Sequence, residues 1–469
     1  MKVVFLLAAA LCGAVLSTAW ADAPEPADLI ITNARILTMD AERRVLDRGT
    51  LVITGREITA VGEPALAERY AADTVIDADG DIVMPGMINT HNHMAMIAFR
   101  GLGEYAVEDR LFEFFFPLEK ELLSRELIRV ASRQAAIELA LAGVTTVTDM
   151  YYHEDEVAHA VKDVGIRGVL GQSIIGFPVV DAEEPWGGLD YAVGYLEAFA
   201  DDELITPALA PHAPYTVSPD KLMETKALAE AHGAPMLMHL AEFYEEKAMI
   251  RERFPEVPAD KSIVGYLDEL GFLGPNLLAA HVIMVDEADM AILKKRNVGV
   301  AHNPKANTKG LTGLSPAWDM KQLGIDVGLG TDGPMSSNQI DIVSVMGYAA
   351  RVARVLHRDG TLFTPVDLVE MATIGGARAL KMDDRIGSLE PGKLADVIII
   401  DTASANMQPL YDPYAAVAFQ AYPGDIHTTI VNGRIVARDG VVCGAVDGRD
   451  DAEWRRITDE VAAFAKTLN

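Results

Sequence analysis

Cysteine is nearly absent: Cys12 and Cys443 are the only two in 469 residues. That count excludes a disulfide framework, a thiolate zinc site and an iron–sulfur cluster, each of which needs several sulfur ligands. Positive charge is scarce as well. Lys and Arg number 40 against 69 Asp and Glu, a net charge of −29. Nucleic acid and anionic membrane surfaces would repel such a chain, so neither is an expected partner. Most of these carboxylates read as solvated surface groups, so the charge does not call for a cationic substrate, and it is compatible with a homo-oligomer. Internal repeats and low-complexity tracts are lacking. Long apolar runs are lacking too, except at the start.

That one run, Val3 to Leu16, follows Lys2 and precedes Ala19-Trp20-Ala21. It is shorter than the roughly 20 residues a membrane-spanning helix needs. With its basic start and small-x-small site it reads as a signal peptide over 1–21, cleaved before Asp22. The expectation is an exported protein, periplasmic or secreted, free of the membrane after cleavage. Cleavage leaves Cys443 alone, and a lone thiol forms no intramolecular disulfide.

Half of the residues are hydrophobic, and the length suffices for a barrel plus one smaller domain. Short strand patterns with turn residues occupy 29–31, 35–37, 51–53 and 58–61, with a tight turn at Thr54-Gly55-Arg56. Similar patterns return at 396–401 and 428–436, and a closing helix is expected from Ala452 to Lys466. Strand sets that flank a long middle point to one β-sandwich built from both ends. In the middle, strand patterns at 82–88, 144–149, 168–174, 205–210, 235–240, 277–281, 298–302 and 327–331 alternate with helical ones such as 125–142, 219–231 and 366–380. Eight strands alternating with helices fit a (β/α)8 barrel. The reading is therefore α/β: a β-sandwich part over 22–84, a barrel over 85–384, and a second sandwich part with the closing helix over 385–469.

Histidines mark the ends of these strands. His91 and His93 follow the first one at spacing two, which puts both imidazoles on one face. His239 and His281 end the runs at 235–240 and 277–281, and Asp332 follows 327–331. Strand C-termini of a barrel converge on one face. His91, His93, His239 and Asp332 then meet in space. Three neutral imidazoles and a carboxylate suit one divalent ion, zinc first and iron(II) second, with a position left for water. A doubly wound sheet also alternates strands and helices, but it does not require histidines at so many strand ends.

The segments PGMINTHNH (85–93), GVTTVTDM (143–150), APHAPYTVSPD (210–220), MHLAE (238–242), AAHVIMVD (279–286), VAHNPKAN (300–307) and GTDGPMSSN (330–338) together resemble the amidohydrolase superfamily. The similarity is to the branch of methylthioadenosine and S-adenosylhomocysteine deaminases and triazine chlorohydrolases, and runs from about Ile30 to about Gly440. It implies a metal-dependent hydrolase of carbon–nitrogen bonds, foremost a deaminase of an adenosine-type nucleoside. In that reading Asp332 binds metal and accepts the proton of water, Glu242 moves a proton to the ring nitrogen, and His281 orients the water. His212 reaches the substrate, with a structural hydrogen bond as its rival role. Glu119 resembles a glutamate that binds ribose hydroxyls, and His302 is a pocket or supporting residue. His153 and Arg100 are loop residues with weaker claims, and His159, His232 and His357 are structural. No lysine stands at the fourth strand end, where Pro211-His212 is found, so one metal is expected rather than a bridged pair. The segment Gly171-Gln172-Ser173 lacks an arginine that the S-adenosylhomocysteine-type enzymes lead one to expect. Pterins, guanine-like bases, triazines and cyclic amides therefore stay open as substrates. A metal-free binding protein would have lost ligands that this chain retains.

Overall fold

A computed structural model describes residues 23–104, 110–443, 459, 461 and 462. The expected signal peptide and nearly all of the expected closing helix lie outside the described residues.

Eight parallel strands form the barrel: Met87–Asn92, Val144–Tyr151, Arg167–Ile174, Ile205–Pro211, Met236–Leu240, Leu277–His281, Gly299–His302 and Val327–Leu329. Each pairs with the next in sequence. The ring closes where the backbone N–H groups of Thr331 and Asp332 donate to the His91 carbonyl at 3.1 and 2.9 Å. Close approach at this seam depends on Gly330, where a Cβ would lie 2.2 Å from Asn303 Oδ1.

A second, nine-stranded mixed sheet joins the two ends of the chain. The strand Glu25–Leu37 pairs with Val45–Thr54 and Tyr70–Asp77, and near its end with Ile82–Pro85. Ile82–Pro85 in turn pairs antiparallel with Val397–Ile400. Ile31, Ile36, Leu51, Ile53, Val83, Val397, Ile399 and Ile430 share the core of this sheet. The strand Tyr70–Asp77 was not legible beforehand, because it is largely exposed, with Ile76 its only buried residue, and so shows no apolar face.

The expected strand 82–88 is in fact two strands in different sheets. Ile82–Pro85 belongs to the mixed sheet and Met87–Asn92 opens the barrel. The run is apolar throughout because both faces are covered. Val83 joins the core of the mixed sheet, whereas Ile82 and Met84 join the barrel's. Gly86 separates the strands, and a Cβ there would sit 2.1 Å from the Thr145 side chain. The expected helix 366–380 likewise divides into Pro365–Ala372 and Ile374–Ala379. Thr373 breaks it with φ −130° and ψ −103°, its hydroxyl donating to the Val369 carbonyl at 2.6 Å.

An ion pair ties the two sheets. Arg167, buried at the start of the third barrel strand, donates through Nε and Nη2 to both Asp396 oxygens at 3.1 and 3.2 Å. Asp396 precedes Val397–Ile400 and also accepts from the Asn432 N–H at 2.8 Å.

Candidate active site

The strand ends deliver the expected side chains to one place. The ring centroids of His91 and His93 are 4.9 Å apart, and those of His91 lie 5.1 Å from His239 and 5.2 Å from His281. Asp332 Oδ1 is 3.2 Å from His93 Nε2 and 3.6 Å from His91 Nε2. Several of these strand ends leave regular geometry to aim their side chains. Ala241, His281, Val282 and Asp332 have φ values of 51°, 73°, 48° and 62°, sparsely populated for residues with a Cβ.

The hydrogen bonds fix which imidazole nitrogens face inward. His93 Nδ1 lies 2.8 Å from the Met150 carbonyl, and His239 Nδ1 lies 2.9 Å from the His212 carbonyl. A carbonyl only accepts, so each Nδ1 carries the proton. The two Nε2 atoms then face each other as lone pairs at 3.3 Å. Such a contact is repulsive unless a proton or a metal ion lies between them. Ligands at about 2.1 Å in a tetrahedral zinc site stand about 3.4 Å apart. His91 Nε2 is buried with Asp332 Oδ1 at 3.6 Å and no partner within hydrogen-bond distance, a position a metal would satisfy. The atoms of His91, His93 and His239 lie within 4.8 Å of one another, as do those of His91, His281 and Asp332. The donor set fits a divalent ion. Electrostatics agree that the site wants positive charge. Burial opposes a charged His93, but contact with Asp332 outweighs it and lifts the pKa to about 9. Burial pushes His91 down to about 4 and His239 well below its ordinary value. Burial opposes ionisation of Asp332, yet its contacts with His91 and His93 hold it well below the carboxylate range.

Beside this cluster lies the Glu242 carboxyl, with Oε2 at 3.8 Å from His281 Nε2. Burial raises its pKa against the opposing influence of His281. His281 is oriented from behind by Asn307, whose Oδ1 meets Nδ1 at 2.8 Å. One buried acid escaped notice in the sequence. Glu246 accepts from the backbone N–H groups of Glu242 at 2.7 Å and Ala241 at 3.3 Å, which holds the turn that presents Glu242. Burial raises it to about 8. Its position four residues after Glu242, at the start of the helix Glu246–Arg253, was the available signal.

A cavity of about 730 Å³ opens over the cluster, lined by His93, His212, His239, Glu242, His281 and Asp332, and also by Glu119. His212 touches Thr216 through Nδ1 at 3.0 Å and borders the His239 ring at 4.8 Å between centroids. Glu119 sits buried on the helix Phe116–Leu122. Of the two roles expected for His302, pocket or supporting, the structure favours the second. The residue is 4 % exposed and is not among the cavity's lining residues, so a direct substrate contact gives way to a buried place within electrostatic reach of His281. Arg100 pairs with Glu138 at 2.8 and 2.9 Å, and His153 joins a surface network with Arg125 and Tyr191, so neither reaches the cluster.

Residues 82–436 match the amidohydrolase family. The chain belongs to that family. This amidohydrolase is 36% identical over 418 residues to a 5-methylthioadenosine/S-adenosylhomocysteine deaminase from Syntrophobacter fumaroxidans, covering 88% of this chain and 93% of the relative. It is 34% identical to a 5'-deoxyadenosine deaminase from Methanosarcina mazei over 440 residues, with 93% and 99% covered. Among solved structures, an adenosine deaminase from Xanthomonas campestris with bound zinc superposes with a TM-score of 0.88 at 28% identity, covering 95% of this chain and all of that one (100%). An atrazine chlorohydrolase from Arthrobacter aurescens shares the fold at a TM-score of 0.82 and 22% identity, with 93% and 100% covered.

Proposed function

We propose that this amidohydrolase is a hydrolytic deaminase of an aminated heterocycle, foremost an adenosine-type nucleoside, working with one zinc ion held by His91, His93, His239 and Asp332. The observation that carries the reading is the set of inward-facing Nε2 atoms with Glu242 and His281 beside it at the base of one cavity. A divalent ion bound there supplies Lewis-acid activation of water near neutral pH. Asp332, held ionised by its neighbours, accepts the proton that water gives up. Glu242, whose carboxyl burial keeps protonated further toward neutrality than usual, passes a proton to the ring nitrogen; the proton taken up by Asp332 goes to the amino group, which departs as ammonia, and the hydroxyl proton released as the C=O forms restores Glu242. His281, fixed by Asn307, points Nε2 at the attacking oxygen. His212 borders the heterocycle, and Glu119 accepts hydrogen bonds from the sugar hydroxyls. The named relatives are deaminases of adenosine-type nucleosides, which favours this class over pterins, triazines or cyclic amides.

The mature protein is proposed to be exported, on the strength of the Val3 to Leu16 run and the Ala19-Trp20-Ala21 site. Among the described residues no helix is long and apolar enough to cross a membrane. The test is a screen of the purified, zinc-loaded protein against adenosine, 5'-deoxyadenosine, methylthioadenosine, guanine, a pterin, an aminotriazine and a cyclic amide, read by ammonia release. Ammonia from the nucleosides is the expected result. Ring opening of the cyclic amide with no ammonia from any amine would replace deamination by amide hydrolysis.

A further inference from the structure

We propose that Thr331 is a positioning residue for the metal site: its hydroxyl, held by Asn89 and Asn92, sets the spacing of His91, His93 and Asp332. The inference rests on the metal-site reading and adds to it three residues outside the cavity lining.

The need for such a device comes from where the ligands sit. Asp332 lies beyond the eighth strand, Val327–Leu329, which is three residues long. Its ladder with the seventh strand reaches Leu329 and goes no further. Across the seam, the first strand breaks register with the second between Asn89 and Asn92, the stretch that contains His91. Among the described residues no ladder joins the first strand to the eighth. The backbone N–H groups of Thr331 and Asp332 do cross the seam, but both converge on the one His91 carbonyl oxygen, about which the segment can pivot. Asp332 also holds a sparsely populated backbone conformation, with φ 62°. Ligand distances in a metal site hold to about 0.2 Å, so a further constraint is needed.

One hydroxyl supplies it. Thr331 Oγ1 accepts from Asn89 Nδ2 at 2.8 Å and from Asn92 Nδ2 at 3.3 Å. Each asparagine turns its oxygen to the backbone of a histidine ligand. Asn89 Oδ1 accepts from the His91 N–H at 3.3 Å, and Asn92 Oδ1 accepts from the His93 N–H at 2.7 Å. Asn89 Oδ1 also accepts from the Thr331 N–H at 3.2 Å, and its Nδ2 donates to the Ile340 carbonyl at 3.4 Å. A backbone N–H only donates, so the orientation of both amides is fixed. The two donors and two acceptor positions of Asn89 are all filled, and both lone pairs of the Thr331 hydroxyl are taken. Asn89, Asn92 and Thr331 are fully buried, so bulk water cannot stand in for a lost partner. The network thus joins the residue before Asp332 to the backbone of both histidines in Asn89-Thr90-His91-Asn92-His93.

The experiment compares Thr331→Val, Thr331→Ser and Asn89→Ala with wild type. Zinc affinity is measured by competition with a chromophoric chelator, zinc release by transfer to excess chelator, and the fold by a thermal melt of metal-free protein. Partners that orient metal ligands typically contribute about ten- to a hundredfold in affinity. Thr331→Val keeps the shape and removes the acceptor, so it should bind zinc at least about tenfold more weakly and release it faster. Thr331→Ser restores the oxygen and should stay within about threefold of wild type. Asn89→Ala should match Thr331→Val, and combining the two should add little, because both break one network. A residue that served only the fold would lower the metal-free melting temperature and leave the zinc affinity of the folded chain unmoved. Folded Thr331→Val with wild-type zinc affinity and release would therefore overturn the proposal. Thr331→Ser as weak as Thr331→Val would overturn it too, by tracing the effect to packing rather than to the oxygen. If Thr331→Val and Asn89→Ala fail to fold, Asn92→Ala, which removes the longer bond to the hydroxyl, carries the same measurement. Wild-type protein that takes up no zinc would defeat the metal-site reading itself, whereas normal wild-type binding with unaltered variants defeats this inference alone.

Discussion

Glu242→Gln tests the assigned chemistry most directly. The substitution keeps the size of the side chain. It also keeps the backbone N–H bond to Glu246, made at 2.7 Å, because that bond does not involve the side chain. It removes the ability to donate a proton and take it back. General acid–base groups contribute roughly 100- to 10,000-fold in rate, which corresponds to about 3–5 kcal/mol of barrier. The upper part of that range is expected here, because the Glu242 side chain is only 22 % exposed and bulk water is a poor substitute donor at such a position. Stability should hold or rise slightly, since burial and the nearby Asp332 both disfavour the charged carboxyl that is removed.

The assay is ammonia release for kcat and KM, elemental analysis for metal, and a thermal melt for the fold. A fall of at least about a hundredfold in kcat is expected, with metal content and melting temperature close to wild type. Glu242 is in neither group of converging ligand atoms, so loss of metal in Glu242→Gln would refute its role as a proton carrier. Near-normal turnover on the best substrate would refute it differently. That outcome would mean a leaving group that departs without ring protonation.

Three further outcomes are expected. His239→Ala removes one of the inward Nε2 atoms and should lower bound zinc from about one equivalent per chain, together with activity; elemental analysis giving two equivalents in wild type would refute the mononuclear site. Asp396→Ala leaves the buried Arg167 guanidinium without its carboxylate and should cost about 3–5 kcal/mol in denaturant melts, whereas the paired change Arg167→Met with Asp396→Leu should recover much of it. Glu154 is fully buried, and burial with the neighbouring Asp149 holds its pKa well above the ordinary 4.5, so the folded chain keeps a proton that the unfolded chain releases. That contribution is complete below pH 4.5 and is lost as pH rises toward the folded value, so Glu154→Gln should gain stability relative to wild type as melts are taken from pH 5 to 8.

The metal-type cluster was legible because a barrel converts a one-dimensional rule into a three-dimensional one. Each ligand needed only to end an apolar run, and the fold did the gathering. His91, His93, His239, His281 and Asp332 obey that rule, and they meet. Residues whose position depends on a helix or on a neighbour's hydrogen bond were harder to read. Glu246 looks like any helix-surface glutamate until its carboxylate is seen on two backbone N–H groups. Tyr151 and Tyr152 look like strand-end packing until they are seen on Glu119. His302 also ends a strand, yet it is not among the residues lining the cavity. A strand-end position is thus necessary for a barrel-strand ligand but does not suffice. The apolar run at 82–88 failed as a single strand for a related reason. Period-two patterning reports which face is buried, and it is silent when two cores bury both. Only Gly86, where a side chain would collide with Thr145, marks the crossing from one sheet to the other. That crossing carries functional weight, because Met87–Asn92 begins directly after it and presents His91 and His93. The mixed sheet therefore anchors the strand whose end supplies two of the four proposed ligands, and damage at the Arg167–Asp396 tie should reach the site through that strand.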